Sequence, residues 1–170
     1  MHTTQMSENE SIWESRLAEL WLRVDDLDSI QFTNAMRQLA GELPAGDPVA
    51  MFELGGAYDS TGSPKEAVAL YQAALQAGLS GLRRRRATIQ MASSLRNLGD
   101  AEQASRILFD ELRQPSDELD QAVAAFLALA LADLGREREA LSLGLGALAT
   151  YLPRYNKSLG RYAQALNGAS

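Results

Sequence analysis

The sequence predicts an all-α fold of antiparallel helix hairpins packed side by side. Three observations carry that expectation. Apolar residues recur at helical spacing along the chain, and strand-like alternation is nearly absent. The gaps between predicted helices are a few residues at most, which makes consecutive helices antiparallel neighbours. One spacing of large, small, glycine and alanine positions occurs three times. With 170 residues, 46% of them hydrophobic, the chain is long enough to bury a sizeable core, and no linker-like stretch interrupts it. A single domain over 1–170 is expected.

The elements follow in order. Met1 to Ser11 is polar and contains Glu8 and Glu10. It lacks the basic start and apolar stretch of a secretory signal, and residues 1–6 are expected as a disordered tail. Trp13, Leu17, Leu20, Trp21 and Val24 then lie on one helical face, with Ser7 and Glu10 at capping-box spacing ahead of them. A second helix is predicted from Asp28 to Glu42, with Phe32, Met36, Leu39 and Leu43 inward. Pro44-Ala45-Gly46 breaks it, closing an N-terminal helix pair over 7–46. Asp47-Pro48 places a capping acceptor before a proline suited to the first helical turn. Ser63-Pro64 repeats the device with Glu66 completing a capping box, and Asp100 with Gln103 opens a later helix.

Three segments share one internal spacing. The first carries Leu54-Gly55, Tyr58, Gly62, Ala67 and Tyr71. The second carries Met91-Ala92, Leu95, Gly99, Ala104 and Leu108, and the third Leu127-Ala128, Leu131, Gly135, Ala140 and Gly144. From Ala67 to Ala104 the period is 37 residues, and from Ala104 to Ala140 it is 36. The small residue after the large one allows close helix approach, the glycine ends the first helix of each pair, and the alanine marks the tightest crossing. A single hairpin of this kind cannot bury its apolar face, so neighbours stack and share a core.

At these residues the chain resembles the tetratricopeptide repeat family. The resemblance is good over roughly residues 48–152 and weaker at the flanks. Leu43–Tyr58, Gly81–Gly99 and Leu134–Leu141 also look like a bacterial subgroup often called group 5, which carries no agreed activity. The sequence departs from the family in its longer period, against the usual roughly 34 residues, and in lacking the large aromatic early in each first helix. The resemblance implies a right-handed superhelical array, a TPR-like solenoid of about nine helices. Its repeats would span 48–78, 81–114 and 117–152. Residues 153–167 form a terminal helix with Tyr155, Leu159, Tyr162, Ala163 and Leu166 inward. Arg154, Lys157, Arg161 and Gln164 would give it the polar outer face that stops further stacking.

Composition excludes whole classes of chemistry. There is no cysteine and a single histidine, His2, so thiolate sites and most zinc and Ser-His-Asp arrangements are ruled out. Neither a metal nor a cofactor is expected. The net charge of −6 gives no overall gain from counterion release on nucleic acid. The charge is uneven: residues 1–80 hold 12 acids and 4 bases, residues 81–170 hold 10 acids and 12 bases. The longest apolar run, Ala122–Ala132, would span about 16 Å as a helix against the roughly 30 Å of a bilayer core. No membrane partner is expected, and a cytoplasmic location is.

Arg83-Arg84-Arg85-Arg86 is the densest local charge. It reads either as a contact for an acidic partner or nucleic acid, or as a helix start whose side chains diverge, with only Arg83 and Arg86 sharing a face. No interleaved aromatics favour single-stranded nucleic acid there. Asp25/Asp26 and Asp110/Glu111 are adjacent pairs that point apart, and Asp117, Glu118 and Asp120 suit a helix start. Gly144-Leu145-Gly146-Ala147-Leu148-Ala149 matches a dinucleotide fingerprint without the strand that fingerprint needs.

The resemblance further implies that the first helix of each hairpin lines a concave groove. Mapped onto this chain, the groove takes Phe52, Gly56 and Asp59 from the first repeat. The second gives Arg86, Gln90, Ser93, Arg96 and Asn97, with Arg83 beside them. The third gives Phe126, Leu129 and Asp133. Arg86, Gln90, Ser93 and Asn97 form a polar stripe suited to an extended peptide or acidic terminus. Phe126 and Leu129 would leave the groove apolar there, so either a ligand covers them or the terminal helices fold back over them; self-coverage is favoured, since an uncovered patch invites association. The function expected is a non-enzymatic protein- or peptide-binding scaffold. The alternatives are a self-assembling homodimer and, remotely, an enzyme with an acidic cleft.

Overall fold

The computed structural model describes the backbone of residues 2–168 and the side chains of residues 9–168. Among the described residues there are nine α-helices and no strand. They are α1 (His2–Leu22), α2 (Ser29–Ala40), α3 (Pro48–Ser60), α4 (Pro64–Gln76), α5 (Gly81–Asn97), α6 (Ala101–Leu112), α7 (Asp120–Asp133), α8 (Glu137–Tyr151) and α9 (Asn156–Asn167). None is long and apolar enough to cross a membrane. Packing divides the chain into two compact units, Met1–Leu79 and Ser80–Ser170, at the junction of the first and second repeats.

The repeat spacing sets the turns. Gly62, Gly99 and Gly135 adopt φ of 84°, 91° and 71°, a region where only glycine is unstrained. In each case the next residue's N–H closes back on a carbonyl of the last helical turn: Ser63 to Tyr58, Asp100 to Leu95 and Arg136 to Leu131, at 2.8–2.9 Å. The alanines that follow, Ala67, Ala104 and Ala140, are buried at the hairpin crossings. In unit 1 a Cβ on Gly55 would lie 3.0 Å from the Tyr71 ring, so α3 and α4 approach as closely as glycine permits.

Helix starts follow the predicted capping with two exceptions. Asp47 accepts from Val49 and Ala50 N–H, Asp100 from Gln103 N–H, and Asp28 makes a full capping box with Gln31. Ser63 makes no side-chain cap; its backbone N–H is committed to closing the turn at Gly62. The expected cap at Ser7 is the second exception. α1 already begins at His2, taking in residues 2–6 where a tail is predicted, because no glycine or proline stands there to stop it. The Ser7 side chain and Met1 lie outside the described residues.

Unit 1 is organised by α1 and α2. Trp13, Leu17, Phe32, Met36 and Leu39 form its core with Ala57 of α3, and Trp13 Nε1 donates to Leu39 O at 2.9 Å. In unit 2, α5 to α8 pack in hairpin order and α9 lies along α8. Ser142 of α8 donates to Ala163 O of α9 at 2.7 Å. Ala163 is buried there as predicted, but Tyr155 and Tyr162 are not inward: both are exposed. Tyr155 is the N-cap residue of α9 and adopts the left-handed region at φ 66°.

Candidate functional site

In unit 2, α5 and α7 are neighbours, and Arg96 Nε lies 2.5 Å from Asp133 Oδ2 across them. Two predicted groove residues are therefore partners of each other. Beside that pair runs the polar stripe of α5: Arg86 and Asn97 exposed at its ends, Gln90 and Ser93 half-buried between. Gln90 Oε1 is buried with no hydrogen-bond partner among the described residues. On α7, Phe126 is half-buried and Leu129 is 45% exposed, so the expected covering by the terminal helices does not occur. The reason is topological: α9 packs on α8, the opposite layer of its hairpin, and leaves this side of α7 open. Arg83 is half-buried on the α5 first turns.

The repeat spacing places Glu53 and Gly56 of α3 at the positions of Gln90 and Ser93 of α5, and of Phe126 and Leu129 of α7. In unit 1 those positions are filled. The Trp21 ring of α1 lies over Gly56, where a Cβ would come within 3.1 Å of it, and Trp21 Nε1 donates to Glu53 Oε2 at 2.9 Å. Trp21 also meets Phe32 edge-on, with centroids 5.2 Å apart. Gly56, expected in the groove, is thus a seat for an internal indole. Phe52 is a second correction. At 2% exposure it packs against Tyr71 at 6.1 Å, on the side of α3 that meets α4, and is a core residue with no surface for a partner. Asp59 is half-buried on α3, in unit 1.

A family model described as tetratricopeptide repeat matches residues 48–166, well over half of the chain. The chain belongs to the tetratricopeptide repeat family. No curated protein and no solved structure matches it.

The tetratricopeptide register also explains the arginine run. Gly81 opens α5, and the four arginines diverge around its first turns. Arg84 pairs bidentately with Glu111 at the end of α6, Nη1 to Oε2 at 3.0 Å and Nη2 to Oε1. Arg85 is 2% exposed; its two terminal guanidinium nitrogens are hydrogen-bonded, and Nε is buried with no hydrogen-bond partner among the described residues. Nη1 donates to Pro115 O at 2.8 Å and lies 3.1 Å from Asp117 Oδ1. Nη2 donates to Asp120 Oδ1 at 2.6 Å, and Nε sits 3.4 Å from Glu111 Oε1. Asp120 is held below the usual carboxylate range, first by the Ser116 hydroxyl, then by the Asp117 N–H and by Arg85. This cluster ties the start of α5 to the end of α6 and to the α6–α7 loop.

Sequence reasoning assigned Asp117 and Asp120 only to the helix dipole and missed the cluster. The available signal was the loop itself: Arg113 to Leu119 is the longest break inside the repeat array and needs something to order it. Among the described residues no three His, Cys, Asp or Glu side chains are placed to hold a metal ion. The fingerprint glycines Gly144 and Gly146 lie inside α8, where they cannot form a phosphate-binding turn.

Proposed function

We propose that this chain is a non-enzymatic protein-binding module that takes a peptide segment on the α5–α7 face of unit 2. The observation that carries the proposal is the contrast at equivalent repeat positions. Unit 1 seats its own Trp21 there, over Gly56 and bonded to Glu53. Unit 2 presents an exposed Leu129, a half-buried Phe126 and an unsatisfied Gln90 carbonyl. A peptide that supplies one apolar side chain and one N–H donor would do for unit 2 what the indole does for unit 1. Arg86 at the rim favours a ligand with an acidic group nearby. Membership of a repeat family whose domains mediate protein interactions supports the same function.

A random peptide display library screened against the full chain tests this. Selected peptides are expected to combine an aromatic or aliphatic anchor with an acidic residue. Arg86→Ala/Asn97→Ala and Leu129→Ala are each expected to weaken the best peptide about tenfold, the scale of one anchor or one charged contact. Melting temperature should hardly move, because Arg86, Asn97 and Leu129 are all exposed. Unchanged affinity in both variants would place peptide binding elsewhere.

A further inference from the structure

Two turns expose apolar side chains beside charges of opposite sign. The first is the α1–α2 turn of unit 1. Leu22 is 83% exposed and Ile30 is 74% exposed, with exposed Asp25 and Asp26 between them. Arg23 is the one base in that turn. The second is the α8–α9 turn of unit 2. Tyr151 is 70% exposed and Tyr155 is 77% exposed, with exposed Arg154 and Lys157 alongside. No acidic residue occurs from Ala140 to Ser170. The two exposed rings stand on either side of Pro153.

From this complementarity we infer that the α8–α9 turn of one copy docks on the α1–α2 turn of a second copy of this chain. The occupant is another copy because one sequence supplies both halves of the match: aliphatic side chains with aspartates on one turn, tyrosines with cations on the other. The contact is heterologous, joining different surfaces of the two molecules. It uses none of the residues of the α5–α7 face. The tyrosine rings cover Leu22 and Ile30, and Arg154 and Lys157 meet Asp25 and Asp26. The charges set the register and make association salt-dependent.

Sedimentation velocity on the full chain tests the contact. The parent protein is expected to self-associate with rising concentration and to dissociate as salt is raised. Asp25→Lys/Asp26→Lys and Arg154→Glu/Lys157→Glu should each weaken self-association about tenfold or more, as like charges replace opposite ones across the contact. An equimolar mixture of the two variants should associate again, because each then offers the charge the other requires. That rescue also shows that both variants are folded. A parent protein that stays monomeric at every concentration overturns the inference. So does self-association that neither variant weakens, or a mixture that stays as dissociated as its components.

Discussion

The two units hold the same repeat face in opposite conditions. In unit 1 the face of α3 is closed: Trp21 sits on Gly56, and its indole N–H is satisfied by buried Glu53. In unit 2 the matching positions of α5 and α7 carry Gln90, Ser93, Phe126 and Leu129, and the surface is half-open. The means of internal cohesion also differ. Unit 1 relies on aromatic packing, Trp13 and Trp21 against Phe32 and Met36. Unit 2 adds a buried cation, Arg85, held by acids from two sides. A hairpin repeat specifies where a face will be; the residues outside the motif decide whether it is filled from within or left for a partner.

Removing the buried cation should have the largest effect. Arg85→Ala leaves Glu111 short of one partner and the 113–119 loop without its anchor, and should cost about 3–5 kcal/mol in denaturant unfolding. A loss under 1 kcal/mol would mean that unit 2 does not depend on the cluster, and the contrast in cohesion would fall. Next, Trp21→Ala should cost about 2–3 kcal/mol, less than a fully buried tryptophan because Trp21 is only half-buried. Amide exchange should accelerate in α1 to α3 and stay unchanged in α7. Uniform acceleration would show that the face of α3 is not independently closed.

Overpacking follows. Gly55→Leu forces a side chain against Tyr71, and Ala92→Leu does the same at the matching position of the second repeat, for about 1–3 kcal/mol each. If both variants melt like the parent, the repeat register is misplaced. The smallest effect concerns acid. Asp120 is depressed, chiefly by the Ser116 hydroxyl, so its contribution is present above the ordinary aspartate value of about 4 and is lost as pH falls through the lower folded value. Glu42, bonded to Arg16 in unit 1, and Glu139, bonded to Arg136 in unit 2, shift the same way. Asp120→Asn should flatten the decline of melting temperature below pH 4 without abolishing it. An unchanged profile would remove Asp120 from the acid response.

The turns were legible because glycine has a conformational monopoly on them: Gly62, Gly99 and Gly135 could be assigned from spacing alone. The small residues at Gly55 and Ala92 were legible for a related reason, since close helix approach tolerates little else. The site was less so. Phe52 and Phe126 were both mapped to the groove, yet the repeat register sets Phe126 against Glu53 and Phe52 against Ala125, and no local pattern says that α3 meets α4 through one and that α7 leaves the other half-open. Trp21 was predicted inward, yet its bond to Glu53 joins residues of two helices whose relative height no local pattern records. The arginine run read as a partner contact or as a helix start with diverging side chains, and which of the four is buried was not legible, because its acids are distant in sequence and Asp117 and Asp120 had a simpler local reason to be there.

Repeat proteins are often treated as interchangeable parts, cut and spliced at the loops. The guanidinium of Arg85 sets a limit on that practice. Its acceptors come from the end of its own hairpin and from the first residues leading into the next. A fragment ended before Pro115 would strand the cation, and an insertion in the 113–119 loop would pull the acceptors apart. Any portable unit in this chain is therefore longer than one repeat: it must run at least from Gly81 into α7.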